Sequence, residues 1–315
     1  MTVEAAAATP SEALGRRTHV SLGPTGWVCA AYLVLISLLA LLSPLLPFKP
    51  AAQDLSLRLL PPFSTQHGFA YVLGGDELGR SVLARVIDGG RVSLVVGLAT
   101  AVIALVIGVL FGVTAAIAGG VWEWFVLRLI DVWMSLPTLL IALVVLYALG
   151  SGVTKVVMVL AILRWVVFAR VARALTLSIK ERQYFDAARA IGCSVPRLIW
   201  QHVIPNLRWD ILTVGTLEVA RAMLTEAALS FLGLGVQPPA SSWGLQLSNA
   251  RSYLSTNPWL MVAPGLAILL TTLSINLIVH VVRTSSGTGG NATVWMGTLG
   301  RHPMLARDRT KPVAA

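Results

Sequence analysis

Long apolar runs separated by short polar ones dominate the chain. A helix rises 1.5 Å per residue, so roughly 20 mostly apolar residues cross a hydrocarbon layer about 30 Å thick. Six runs reach or approach that length: 27–48, 92–118, 125–149, 156–171, 211–234 and 260–282. The fourth is short and interrupted by Arg164, with Arg170 at its end; the fifth contains Glu218, Arg221 and Glu226. The pattern predicts an all-α, polytopic membrane protein with six transmembrane helices. Between and around them lie a tail 1–26, a polar segment 49–91, a core 92–282 whose largest polar loop is 172–210, and a tail 283–315.

Composition supports this. Of 315 residues, 56% are hydrophobic and 12% charged, about half the charged content of a typical soluble domain. Such a chain cannot clothe a water-facing surface, which excludes an ordinary soluble enzyme. Its formal net charge is nevertheless +10. A basic excess suits nucleic-acid binding or the cytoplasmic loops of a membrane protein, and position decides between them. Loop 172–210 holds Arg173, Lys180, Arg182, Arg189, Arg197 and Arg208 against three acids. The tail from 283 holds Arg283, Arg301, Arg307, Arg309 and Lys311 against Asp308. On the other side, segment 49–91 is nearly balanced, 150–155 carries only Lys155 and 235–259 only Arg251. The excess therefore marks the inner side, both termini are expected in the cytoplasm, and no nucleic acid is implied.

The run 27–48 follows Arg16-Arg17 but is too long for a signal-peptide core and lacks a small-residue cleavage site, so it reads as a retained first helix. Asn291-Ala292-Thr293 matches a glycosylation sequon on the wrong side of the membrane. Two cysteines, Cys29 and Cys193, exclude a disulfide framework and a cysteine-based zinc site. The chain contains no Gly-Lys dipeptide and hence no phosphate-binding P-loop; its five histidines are scattered, and no nucleophile–base set is evident.

The most informative stretch is 178–206, SIKERQYFDAARAIGCSVPRLIWQHVIPN. Phe185, Ala188 and Ile191, then Val195, Leu198 and Ile199, recur at helical spacing with basic residues opposite. Gly192 falls where the period shifts, Ser194 suits an N-cap and Pro196 an early helical position; Pro205 is expected to break the pattern before the next span. The periodicity alone fits either a helix–bend–helix lying on lipid headgroups or a surface for a partner.

Asp186-Ala187-Ala188, Gly192 and Val203-Ile204-Pro205 resemble the "EAA" loop of ATP-binding-cassette (ABC) importer permeases. Two flanking blocks tighten the match: LGGDELGRSVLAR at 73–85 followed by Gly90-Arg91-Val92-Ser93-Leu94, and LTEAALSFLGLGVQPP at 224–239 with Ser242-Trp243-Gly244. Both look like segments of dipeptide/oligopeptide and nickel permeases, specifically the second, C-type subunit, over residues 25–277. The resemblance implies a type I importer (MetI-like) permease fold in the bacterial inner membrane. It also implies a homologous second permease, two ABC ATPases, an external solute-binding protein and a peptide substrate as partners. ATP and magnesium would belong to the ATPases, with no cofactor on this chain. The loop would then couple to an ATPase groove, with Asp186, Ala187, Ala188, Gly192 and Pro205 as its motif and Arg182, Arg189 and Arg197 facing acids of the groove. Two departures stand out: Asp186 replaces the family's Glu, and after Asn276-Leu277 the usual Gly-Asp ending gives way to a Thr/Ser/Gly stretch and a basic tail expected to be disordered.

Charges inside spans are costly and usually functional or paired. Arg128 and Asp131, three apart, share a face and can pair. Glu218 and Arg221 do likewise nearer mid-span, where family members more often carry small or apolar residues. Glu226 sits roughly 80° further round the helix. Two readings stay open for the Glu218–Arg221 pair: a gate or peptide contact on the pathway, or simple packing. An ion-gradient-driven transporter using Glu218 or Glu226 is the alternative function; the ready-made loop and the lack of an inverted repeat weigh against it.

Overall fold

The computed structural model describes residues 23–45, 50–64 and 68–285; the tails, with Arg16-Arg17 and the Asn291 sequon, lie outside them. Among the described residues the regular secondary structure is helical, save an isolated bridge between Gly75 and Ser81. The helices are α1 (Pro24–Leu42), α2 (Val82–Ala118), α3 (Gly120–Ser135), α4 (Thr138–Leu149), α5 (Val153–Lys180), α6 (Gln183–Ala190), α7 (Val195–Leu198), α8 (Ile204–Phe231), α9 (Trp243–Ala250) and α10 (Trp259–Ser285). Three stretches, Pro24–Leu45, Val82–Ala118 and Trp259–Arg283, are long and apolar enough to span a bilayer alone, and α3 with α4 qualify as one bent pair. The helices α5 and α8 have 28 residues each, about 42 Å at 1.5 Å per residue, but carry internal charges.

Four boundaries differ from expectation, each for a physical reason. Helix α2 starts at Val82, ten residues early, because Ser81 caps it: its Oγ accepts from Ala84 N at 3.1 Å. The charges that made 82–91 look like loop are partly neutralised, Arg85 against Asp76, whose carboxylate also accepts from Arg80 Nε at 2.7 Å and from the Leu78 and Arg80 amides. The third span is not continuous. It bends by 86° between Ser135 and Thr138, where Pro137 has no N–H to offer and holds Leu136 extended. Helix α5 runs on to Lys180 and α8 begins at Ile204, so loop 172–210 shrinks to about 181–203. Pro205 breaks nothing: a π-helical turn, Ile199–Val203, carries the chain from α7 into α8 and places Pro205 at the first turn, where its missing N–H costs no bond. Arg128 does not pair with Asp131; its guanidinium lies 5.8 Å from the centroid of the Trp124 ring.

The core has three parts. One joins α2, α3, α5, α6 and the start of α8 at the loop end of the bundle; a second joins α1, α9, α10 and the far halves of α2 and α8; a third packs α4 against α2 and the start of α5. Helices α2 and α5 form the most extensive pair, and glycines make it possible. A Cβ on Gly112 would lie 3.0 Å from Ala169 Cα, and one on Gly108 would lie 2.5 Å from Phe168 Cβ. This is the small-residue packing of membrane helices, where close approach replaces the hydrophobic effect. Polar clasps finish the ends. Glu123 of α3 accepts from Arg173 Nε of α5 at 2.8 Å, and Lys180 Nζ donates to the Ala116 carbonyl at 2.7 Å. At the far end Trp243 Nε1 donates to the Val86 carbonyl at 2.7 Å, fixing α9 on α2. There the Tyr71 hydroxyl donates to the Gly79 carbonyl at 3.1 Å. Burial and the nearby Asp54 and Asp76 carboxylates push its phenol above the usual range, so it stays a neutral donor.

Candidate functional site

Two regions carry the residues singled out by the sequence. In the first, α6 ends in a Schellman bend: Cys193 N donates to the Ala188 carbonyl at 3.1 Å and Gly192 N to the Arg189 carbonyl at 3.0 Å. Gly192 has φ +82°, a conformation a side chain would strain. Ser194 stands at the N-cap position of α7 and its carbonyl, not its hydroxyl, accepts, from Leu198 N at 3.0 Å.

This helix–bend–helix is bolted to the bundle from one side. Phe185, Ala188, Leu198 and Val203 are buried in the loop-end core. Ala188 therefore faces inward and is unavailable for contact with another molecule. The outward face consists of Arg182, Asp186, Ala187, Arg189 and Arg197, all exposed, together with bare apolar groups, Ile191 at 82% and Trp200 at 73% of full exposure. The arginines and Asp186 mark a partner-facing surface in the sequence; Ile191 and Trp200 do not, because their exposure depends on the bend and the π turn.

The second region lies midway along α8. Glu218 is 2% exposed and sits between two guanidiniums: Arg221 Nη1 donates to its Oε1 at 2.9 Å, and Arg164 Nε of α5 forms an ion pair with its Oε2 at 2.8 Å without the alignment of a hydrogen bond. The expected Glu218–Arg221 pair is thus one half of a triad. Arg164 appears in the sequence only as an interruption of an apolar run, and its partner lies 54 positions away in the chain.

Glu226 is not part of that triad. It is fully buried towards the far end, where Ser230 Oγ donates to Oε1 at 2.7 Å and Ser93 Oγ to Oε2 at 3.3 Å, with the Ser242 hydroxyl against the same carboxylate. Ser93 in turn accepts from Trp243 N at 3.2 Å and Ser230 from Val236 N at 2.9 Å. Glu226 therefore organises the joint between α2, α8 and the start of α9. Beside that joint a cleft of about 460 Å³ opens between segment 50–80 and the α8–α9 connection, lined by Arg80, Asp88, Pro239 and Asn249 among others. Among the described residues no group of three or more His, Cys, Asp or Glu is placed to hold a metal ion.

Comparison with known proteins bears on these features. A family model described as binding-protein-dependent transport system inner membrane component matches residues 104–285. The di/tripeptide transport system permease of Pseudomonas aeruginosa (strain UCBPP-PA14) is 39% identical over 249 residues, covering 78% of this chain and 82% of that one. A putative peptide permease of Brucella ovis is 42% identical over 236 residues, 74% of this chain and 76% of its own. The nickel transport system permease of Escherichia coli (strain K12) is 34% identical over 261 residues, 82% and 92% respectively. Among solved structures, the MetNI methionine ABC transporter in its inward-facing conformations superposes with a TM-score of 0.52 at 17% identity, covering 64% of this chain and 95% of that one.

Proposed function

Since the chain belongs to the family of binding-protein-dependent transport system inner membrane components, the multi-pass permeases of ABC importers, we propose that it builds the pathway for di- and oligopeptides together with a homologous second permease. Relatives named for di/tripeptides and peptides support that substrate class. Two ABC ATPases and an external solute-binding protein complete the assembly. ATP and magnesium are held by the ATPases, and this chain makes and breaks no bonds. Both termini and the α6–α7 loop face the cytoplasm, and the cleft beside α9 faces the binding protein.

The observation that carries the coupling role is the two-faced loop. Its inner face is locked into the bundle through Phe185, Ala188 and Leu198, while its outer face offers Ala187, Ile191, Trp200 and a set of arginines. Small and apolar groups suit a tight protein groove, and the arginines suit acids at its rim. Headgroup anchoring alone would not call for an inner face so fully keyed to α5 and α8. Reconstitution of the chain with the second permease, both ATPases and the solute-binding protein tests this reading. ATP must drive peptide uptake without any ion gradient. Uptake by this chain alone under a proton gradient would refute it and favour an ion-coupled carrier acting through Glu218 or Glu226.

A further inference from the structure

The triad of Arg164, Glu218 and Arg221 lies outside the exposed outer face of the α6–α7 loop. Glu218 stands near the middle of α8 and Arg164 near the middle of α5, both 28-residue helices, so the cluster lies about 20 Å from either end at 1.5 Å per residue. A carboxylate at that depth requires a partner, and Arg164 of α5, half-buried, provides one at 2.8 Å. Arg221 is then surplus. Its Nη1 reaches Glu218 Oε1, yet 60% of its side chain remains exposed. Guanidiniums stay protonated, so two of them against one carboxylate leave a net charge of +1. An arginine directed from mid-span into lipid is strongly disfavoured. Its exposed face therefore meets an aqueous path or another protein chain. Glu226, the next acid along α8, is turned into the bundle and bonded to serines.

We propose that this triad is a carboxylate-recognition site on the wall of the pathway. Arg221 receives the carboxylate of a substrate in transit, with Glu218 as its positioning residue and Arg164 holding Glu218. The site rests on the reading that this chain lines a peptide pathway, and it narrows the substrate class to solutes bearing a free carboxylate, disfavouring a bare divalent cation. A guanidinium fork matches a carboxylate through two parallel N–H bonds. Glu218 already occupies one of its edges, which keeps the contact weak, as passage demands of any site along a conducting route.

The test uses the complete transporter in vesicles, with liganded binding protein at saturation so that its own selectivity drops out. Maximal uptake is measured for a free-acid dipeptide, for its C-terminal amide and for Ni²⁺. Wild type is expected to carry the free acid about tenfold faster than the amide, the scale of one charge-assisted hydrogen bond. Arg221→Gln should bring that ratio close to one, and Arg221→Lys should retain part of it. Glu218 keeps Arg164 in Arg221→Gln, so folding should survive; Arg221→Lys, which preserves the charge beside Glu218, guards against a misfolded Arg221→Gln. An unchanged ratio in an active Arg221→Gln transporter overturns the site while leaving peptide import intact. Loss of the second permease on purification of Arg221→Gln also overturns it, since Arg221 would then serve an acid of that subunit. A wild type that takes up Ni²⁺ and neither peptide form refutes the underlying peptide reading instead.

Discussion

The contact between α2 and α5 makes a quantitative prediction. At Gly112 a methyl group would press on the Ala169 carbonyl and lie 3.0 Å from Ala169 Cα. Carbon atoms rest at about 3.5–4.0 Å, so the helices must part locally by about 1 Å, and a gap of that size forfeits a quarter to a half of each facing dispersion contact. The pair cannot part freely, because Glu123–Arg173 ties α5 to α3 and Lys180–Ala116 ties α5 to α2 at the loop end. Overpacking of this kind costs about 1–3 kcal/mol. Gly215 supplies the control. It lies inside α8, yet a Cβ there would sit 3.6 Å from Leu105 Cδ1 and 3.7 Å from Phe168 Cε1, ordinary contacts. Gly215→Ala is therefore expected to be neutral or to stabilise by up to about 1 kcal/mol through helix propensity. Thermal and denaturant unfolding of the full chain in detergent, followed by tryptophan fluorescence, reads both variants. Gly112→Ala falling within about 0.5 kcal/mol of Gly215→Ala would show that the helix pair is not held at glycine distance.

On the α6–α7 loop, Ala187→Trp should abolish ATPase stimulation while leaving the unfolding temperature unchanged, whereas Ala188→Trp should destabilise the chain itself; the reverse order would invert the assignment of faces. Gly192→Pro, imposed where φ is +82°, should destroy the bend and stimulated hydrolysis yet allow membrane insertion, checked by fractionation. Ile191→Ser and Trp200→Ser should each weaken ATPase binding by about tenfold or more, the scale of burying one large apolar side chain, with no effect on the isolated chain; co-purification and titration would show this. At the α8–α9 joint, Glu226→Ala should lower stability by about 1–3 kcal/mol by leaving serine hydroxyls unpartnered, and Glu226→Gln should recover most of it.

What the sequence reveals about this molecule depends on whether the signal is local. The six apolar runs and the glycine bend at 192 are properties of neighbouring residues, and both are visible. The early start of α2 is hidden because Arg85 looks like a loop charge until Asp76, nine positions earlier, is seen to neutralise it. The 86° break is masked by apolar residues on both sides of Pro137, where hydropathy does not change. Gly108 and Gly112 form a spacing that can be read in advance, but their partner, the backbone of Ala169, cannot. The same holds at the site: Glu218–Arg221 is an i, i+3 pair, while Arg164 joins it only through packing of α5 on α8. Ala188 belongs to a motif whose letters do not say which way they point.

The π turn between α7 and α8 has a mechanical consequence. From Val195 to Phe231 the backbone is helical without a break, so the second half of the loop and the charges midway along α8 belong to one rod. Trp200 and Arg221 stand about 30 Å apart along it at 1.5 Å per residue. A tilt of only about 5° imposed at the Trp200 end would sweep the guanidinium of Arg221 sideways by roughly 3 Å, the length of a hydrogen bond. Such a rod needs no hinge and no relay of intermediate side chains to let an event at the loop end make or break a contact halfway along α8.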